Sequence, residues 1–229
     1  MLFTFFWCYL LSPVTVAQSW MSTYDFVYLD EILQHAKFET RYAGEDNFIG
    51  SPIDGYPTSR QVMTKAAAEA LALAEKELHK KGYGLKIFDS YRPQRAVNHF
   101  MRWAKVAEDT LMKANYYPEK PKDRLFDLGY ISSRSGHSRG STLDLTIYHL
   151  ASGNEVDMGG PYDFFGERSH HNFTEITDDQ KSHRLLLKDV MSKFGFRAYH
   201  KEWWHYTLRQ EPYPNTFFDH VVPDVSEPK

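Results

Sequence analysis

The alternation of apolar and polar residues between Thr142 and Tyr148 restricts the fold of this chain more than any other feature of its sequence. Leucine and isoleucine occupy every second position, and threonine and aspartate occupy the positions between them. A period of two residues is typical of a β-strand with one face against a core. The alternation therefore predicts a strand that carries Asp144 on its open, polar face.

Helical patterns occur on both sides of this strand in the sequence. Apolar residues recur at helical spacing in residues 59–81, where Ser59 is a candidate N-cap. Pro93 suits the first turn of a second helix. Thr177 and Gln180 form a capping-box pattern, in which each side chain bonds to the backbone of the other residue, and this pattern predicts the start of a third helix.

Two further apolar runs, Leu85–Phe88 and Trp203–Leu208, predict short strands. Residues 116–127 hold two prolines and scattered charges, and we expect them to run over the surface. Short strands mixed with separate helices favour an α+β fold. We expect a small antiparallel sheet with the helices packed on one side of it.

The N-terminal residues form a separate hydrophobic segment. Residues 2–11 are almost wholly apolar, which fits the central region of a signal peptide and is too short to span a bilayer. Small residues suit cleavage after Ala17, although no basic residue precedes Lys37, as a signal peptide normally requires. We expect residues 1–20 to direct export, with an uncleaved anchor or a misplaced start codon as alternatives, and residues 21–229 to form a single domain.

Charge and cysteine content exclude several functional classes. The net charge is −3, from 27 basic and 30 acidic residues, and no long basic run occurs, so nucleic acid is not an expected partner. The single cysteine, Cys8, lies in the hydrophobic segment. The domain that follows it therefore has neither an internal disulfide nor a cysteine-bound metal. Once the signal is removed, we expect no stable membrane association.

Two short stretches carry four side chains that suit a metal site. His137 and Asp144 lie in Ser-Gly-His-Ser-Arg-Gly-Ser-Thr-Leu-Asp, and Glu202 and His205 lie in Glu-Trp-Trp-His. A catalytic zinc takes three protein ligands, keeps a position for water and uses a further carboxylate as a base. The set of four predicts such a site, provided that a turn or bulge near Trp203 lets the last two face one ion.

Each of these residues also has a simpler interpretation. His137 alone is compatible with an ordinary hydrogen-bonded histidine, and Asp144 with a partner arginine in place of a metal. Glu202 and His205 alone are compatible with the polar ends of an aromatic strand. Arg92 is a candidate to stabilise an oxyanion, and a salt bridge at the start of a helix explains it equally well.

These residues resemble a known family. The pattern Ser135-x-His137-x-x-Gly140-x-Thr142-x-Asp144, with Glu202-x-x-His205, is similar to that of the zinc D-Ala-D-Ala peptidases, which share a small α+β fold with the hedgehog signalling domain. The similarity includes the D-alanyl-D-alanine dipeptidases of the vancomycin-resistance type and extends from about Phe26 to the C-terminal tail. It covers the stretches Tyr91-Arg-Pro-x-Arg-Ala-Val-Asn, Met158-Gly-Gly-x-x-Asp163-Phe, Ser169-His-His and Glu211-Pro-Tyr-Pro-Asn.

The resemblance implies a role for the residues of the metal site. His137, Asp144 and His205 would bind one zinc ion per chain. Glu202 would act as the base. Arg92 would stabilise the transition state.

The resemblance also implies how the substrate is held and where this chain departs from its family. Asp163 and Tyr42 would hold the free ammonium group of a dipeptide, and Ser135 would lie beside the substrate or support the zinc-binding histidine. Thr142 stands where the family usually has alanine. Gly136 stands where close relatives have serine, and we expect any difference in substrate affinity to arise there.

Hydrolysis of the free dipeptide D-Ala-D-Ala to two D-alanines, in cell-wall metabolism or glycopeptide resistance, is the function that the resemblance implies. A D,D-carboxypeptidase acting on muropeptides uses the same zinc apparatus and is one alternative. A non-catalytic zinc-binding interaction module is another, because the hedgehog domain shares the fold. The hydrophobic segment predicts a periplasmic location, with the cytoplasm as the alternative, and the sequence leaves the oligomeric state open.

Overall fold

The computed structural model describes residues 20–223. The predicted export signal and its cleavage point after Ala17 lie outside the described residues, apart from Trp20 at the very end of that segment. Among the helices of residues 20–223, none has both the length and the apolar composition that a membrane span needs.

The strands of the described residues form two sheets. Their bounds are Phe26–Tyr28 (β1), Lys37–Phe38 (β2), Val62–Thr64 (β3), Tyr83–Asp89 (β4), Thr142–His149 (β5), Phe196–Ala198 (β6) and His205–Leu208 (β7). β1 pairs with β3, and the larger sheet has the order β2-β4-β5-β7-β6. β2 runs parallel to β4 at one edge, and the other strand pairs are antiparallel. The predicted α+β class with a small, mainly antiparallel sheet is confirmed.

The helices of the described residues include three long ones and two single turns of α-helix. Their bounds are Leu29–Ile32 (α1), Lys65–His79 (α2), Gln94–Ala104 (α3), Lys113–Tyr116 (α4) and Asp178–Lys193 (α5). The predicted capping box before α5 is confirmed, since Thr177 and Gln180 each bond to the backbone of the other. The helix predicted for residues 59–81 begins later than expected, because Val62–Thr64 pair with β1 as a strand.

The apolar face of the larger sheet carries the main core. Leu143, Leu145 and Ile147 of β5 are fully buried there, as their alternation predicts. α2 and α5 cover this face and contribute apolar residues such as Leu71 and Leu187 to the same cluster. Two of the three long helices therefore pack on one side of the sheet.

The polar face of β5 is buried as well, and the prediction of an open face is wrong. Thr142, Asp144 and Thr146 are at most 2% exposed. The hydroxyl oxygens of Thr142 and Thr207 lie 2.9 Å apart across β5 and β7. Asp144 lies against polar side chains from loops that fold over this face. A polar strand face buried in this way has to find its partners within the protein.

A second apolar cluster lies outside the main core, and it includes Tyr116, Tyr117 and Leu125. These three residues are buried and anchor the segment 116–127, whereas most of residues 118–127 are exposed, as expected for an excursion over the surface. The cluster joins these residues to α3 through Phe100 and Trp103. The third long helix is thereby held in a cluster of its own.

The C-terminal tail fixes the loop that carries His137. Arg139 forms two hydrogen bonds, of 2.7 and 2.8 Å, with the buried carboxylate of Glu211. The backbone N–H of Phe218 donates to the Ser138 carbonyl, and the Phe218 carbonyl accepts from Gln94 at the start of α3. The tail therefore joins the histidine loop to α3.

Candidate active site

His137 lies in a single turn of 3-10 helix, Gly136–Arg139, just before β5. The Ser135 hydroxyl caps this turn by accepting the His137 backbone N–H at 3.3 Å. The ring Nδ1 of His137 is 2.7 Å from the Ser90 carbonyl oxygen. Since a carbonyl only accepts, Nδ1 carries the proton and Nε2 is left with a free lone pair.

Asp144 and His205 are direct neighbours across β5 and β7. Their Oδ1 and Nδ1 atoms are 2.9 Å apart. His137 Nε2 lies 3.3 Å from Asp144 Oδ1 and 3.3 Å from His205 Nδ1. The three predicted metal ligands thus present one oxygen and two nitrogens in a compact triangle.

This triangle fits a zinc ion. Zinc–nitrogen bonds of about 2.0–2.1 Å place the ligand atoms of a tetrahedral site about 3.3 Å apart, close to the three distances observed here. Histidine nitrogen and carboxylate oxygen are also donors that zinc prefers. Burial opposes ionisation of Asp144, but the neighbouring imidazoles hold its pKa well below its usual range. His137, Asp144 and His205 are therefore suited to hold the metal.

Glu202 reaches the same point through a tight turn. Its backbone N–H donates to the Tyr199 carbonyl, and its own carbonyl accepts the N–H of His205. The strand predicted from Trp203 begins only at His205, and the turn expected near Trp203 is present. Glu202 Oε2 lies 3.4 Å from His205 Nδ1. Burial raises the pKa of Glu202 to about 7, which suits a group that takes and returns a proton near neutral pH.

Arg92 forms the salt bridge that its sequence context allows, and it also reaches the cavity of the site. It bonds Asp89, three residues earlier, through two N–H groups at 2.8 Å, so it forms the predicted salt bridge before α3. Its Nη2 is also 3.5 Å from Asp144 Oδ2. The guanidinium lies 4.9 Å from the centre of the Tyr42 ring and 5.2 Å from that of Phe100, and it lines the same cavity as the three candidate metal ligands.

Asp89 is a site residue that the sequence argument missed. It is 1% exposed, accepts a hydrogen bond of 2.7 Å from the Tyr56 hydroxyl and holds Arg92. Its Oδ2 also lies 3.5 Å from His137 Nδ1. The available signal was its position at the end of a predicted strand, three residues before an arginine.

Asp163 and Tyr42 form a buried pair on another wall of the cavity. The Tyr42 hydroxyl donates to Asp163 Oδ2 at 2.7 Å. The backbone of Asp163 is left-handed, with φ at 62°, a conformation that is uncommon among residues with a side chain and that aspartate adopts more readily than most. Burial, with a contribution from the charge of Asp144, raises the pKa of Asp163 to about 8.

The cavity between these groups has a volume of about 260 Å³. Its walls include the three metal-binding residues together with Tyr42, Arg92, Ser135, Asp163 and Glu202. The structure thus brings together all eight site residues predicted from the sequence. Tyr162, which the sequence argument did not single out, also reaches the site, because its hydroxyl donates to Asp144 at 3.2 Å.

The two departures from the family pattern are in contact. A Cβ atom on Gly136 would lie 2.8 Å from the Thr142 hydroxyl oxygen, which is closer than real Cβ contacts allow. The Thr142 hydroxyl is held by Thr207 and cannot simply turn away without losing that bond. A side chain at position 136 would therefore require the Thr142 hydroxyl or the backbone beside it to shift.

Comparison with known proteins agrees with this geometry. A family model described as D-ala-D-ala dipeptidase matches residues 22–223. The D-alanyl-D-alanine dipeptidase of Enterococcus faecium is 47% identical over 197 residues, which is 86% of this chain and 98% of that protein. The one from Streptomyces coelicolor is 45% identical over 200 residues, 87% of this chain and 99% of that protein. The one from Escherichia coli is 33% identical over 188 residues, 82% of this chain and 86% of that protein. This chain belongs to the D-ala-D-ala dipeptidase family.

Proposed function

We propose that this protein hydrolyses the free dipeptide D-Ala-D-Ala to two D-alanines, with one zinc ion held by His137, Asp144 and His205. The observation that carries the proposal is the convergence of three donor atoms within 3.3 Å of one another, beside the carboxylate of Glu202. The relatives named D-alanyl-D-alanine dipeptidase align along almost their whole length and supply the substrate class.

Glu202 is the proton carrier of the proposed reaction. A zinc ion held by His137, Asp144 and His205 would supply Lewis-acid chemistry, which lowers the pKa of a bound water to about 7 and polarises a carbonyl. The Glu202 carboxylate takes a proton from the attacking water and returns it to the amine that leaves. Its position beside His205 and its pKa of about 7 suit both steps.

Arg92 offers its guanidinium to the negative charge that develops on the carbonyl oxygen. Asp89 holds the guanidinium by two hydrogen bonds, and the guanidinium also contacts the adjacent rings of Tyr42 and Phe100. A donor fixed before the reaction stabilises the transition state without reorganising during it. Arg92 therefore complements the metal as the second positive group of the site.

Asp163 and Tyr42 recognise the free amine of the dipeptide in this proposal. An ammonium group next to Asp163 favours its ionised form, which burial alone disfavours. The small cavity and the 6% exposure of Asp163 leave little space for a longer chain on the amine side. This enclosure favours the dipeptidase over the D,D-carboxypeptidase, whose substrate has a blocked amine.

The amine pocket predicts a strong preference between two substrates. We expect kcat/KM for N-acetyl-D-Ala-D-Ala to be about 10- to 100-fold lower than for D-Ala-D-Ala, because acetylation removes the charge that Asp163 pairs with. Steady-state assays of both compounds test this, and Asp163→Asn should reduce the difference. Faster turnover of the blocked substrate would favour the carboxypeptidase.

A second prediction concerns the base. Glu202→Gln should lower kcat by about 10²- to 10⁴-fold, because the amide cannot accept the proton of water. Zinc content, measured by atomic absorption, should stay near one equivalent per chain, since Glu202 is not one of the three ligands. Near-normal turnover in this variant would remove Glu202 from the mechanism. A wild-type protein that binds zinc without turnover would instead support a non-catalytic interaction module.

A third prediction concerns the ligands themselves. Single changes of His137, Asp144 or His205 to alanine should abolish stoichiometric zinc binding along with activity, because each removes one of three donors. His79→Ala, which alters an exposed histidine of α2, is the matched control and should keep both. A ligand variant that retains one full zinc equivalent would show that its residue is not a ligand.

We also propose that the protein is exported and acts in the periplasm, on the basis of the apolar residues 2–11. N-terminal sequencing of the mature protein from fractionated cells should give a chain that starts at Gln18. A start at Met1 in the cytoplasmic fraction would refute export. The compartment matters because exported enzyme would meet dipeptide released from the wall, whereas cytoplasmic enzyme would meet wall precursors.

A further inference from the structure

Arg184 is a buried cation outside the active site. It lies in α5, is 3% exposed and donates three hydrogen bonds to backbone carbonyl oxygens. Nε bonds to Met158 at 2.6 Å, Nη1 to His170 at 2.8 Å and Nη2 to Arg168 at 2.8 Å. Within residues 20–223, no carboxylate forms an ion pair with it.

A buried guanidinium without a carboxylate is costly to keep. Removing a charge from water is unfavourable unless local partners replace the lost hydration. Burial lowers the pKa of Arg184 to about 10, and the nearby charge of Arg168 acts in the same direction. An apolar residue at this position in α5 would avoid the desolvation cost of a buried charge. What the arginine offers in its place is three hydrogen bonds to backbone carbonyls.

The three carbonyls belong to the two ends of one segment, residues 158–170. The middle of this segment carries Tyr162, which bonds Asp144, and Asp163, which lines the cavity. The left-handed backbone of Asp163 lies within the stretch whose two ends Arg184 holds. A planar guanidinium that bonds both ends of the segment fixes the distance between them and imposes the shape of the loop.

The same segment also supports the turn that carries Glu202. The backbone N–H of Trp203 donates to the Ser169 carbonyl at 2.9 Å, and the N–H of His171 donates to the His200 carbonyl at 3.0 Å. The Arg184 guanidinium lies 6.0 Å from the centre of the Trp203 ring. Arg184 is therefore connected, through the backbone of residues 158–170, to both Asp163 and the turn that carries Glu202.

We propose that Arg184 is a positioning residue, which clamps residues 158–170 so that Asp163 meets the substrate ammonium. The part that concerns the ammonium rests on the proposed function; the clamp itself does not. Arg184 touches neither the substrate cavity nor the metal-binding residues, so it acts through the backbone it holds.

Lys122 provides a matched control. It is also a buried cation, 6% exposed, and it donates to the carbonyls of Val106 and Asp109 while lying over the ring of Trp103. Burial lowers its pKa too. Lys122→Met removes a buried cation that bonds carbonyls without touching residues 158–170, so it measures the general cost of such a change.

Hydrogen–deuterium exchange tests the clamp directly. In Arg184→Met, amides of residues 158–170 and of the turn at residues 200–205 should exchange faster than in wild type, while the core strand β5 keeps its protection. Lys122→Met should leave both segments unchanged. Arg184→Lys, which keeps the charge and loses the planar fork, should give an intermediate result and serves if the methionine variant does not fold. Unchanged exchange of residues 158–170 would overturn the clamp.

Kinetics test its consequence for the reaction. KM for D-Ala-D-Ala should rise by about 10- to 100-fold in Arg184→Met, and the preference over N-acetyl-D-Ala-D-Ala should shrink, with one zinc equivalent retained. Lys122→Met should keep the preference. An equal loss on both substrates would overturn the link to amine recognition. If wild type itself shows no preference, the proposed amine pocket fails, and the exchange data alone decide whether the clamp stands.

Discussion

The candidate site depends on one buried carboxylate, that of Asp144. It is held at the point where two imidazoles and a guanidinium meet, on the polar face of a strand whose other face is the centre of the core. His205 faces it across a strand pair, so the spacing of two ligands is the spacing of the sheet itself. His137 comes from a loop, but that loop is pinned to the Ser90 carbonyl and to the C-terminal tail. A rigid scaffold of this kind holds metal ligands better than loops alone.

The charges around the cavity explain why a metal and the ammonium end of a substrate suit it. Asp89, Asp144, Asp163 and Glu202 are four acidic side chains with little contact with solvent, and Arg92 is the buried cation among them. The raised pKa values of Glu202 and Asp163 reflect this excess as well as their burial. The proposed zinc ion and substrate ammonium together bring three positive charges. The excess negative charge of the site is therefore balanced when both the metal ion and the ammonium group are bound.

Local sequence patterns predicted those parts of the fold that form from residues close together in the chain. The alternation around Asp144 predicted the strand and the polar face on which the Asp144 side chain lies, and the capping box at Thr177 predicted the start of a helix. The eight predicted site residues line one cavity, although their roles still rest on the family resemblance. Patterns did not predict long-range packing. Residues 116–127 look polar in sequence and yet help to build the second cluster, and Asp89 acquires its partners only after folding. The burial of the polar strand face has the same origin, because it depends on loops distant in sequence.

The contact between Gly136 and Thr142 has a consequence for how this site can change over generations. A serine at position 136 meets the threonine hydroxyl, so that step is obstructed while position 142 is unchanged. Loss of the hydroxyl at position 142 clears the space and makes the same step accessible. The contact therefore favours one order of the two substitutions, in which position 142 changes before position 136.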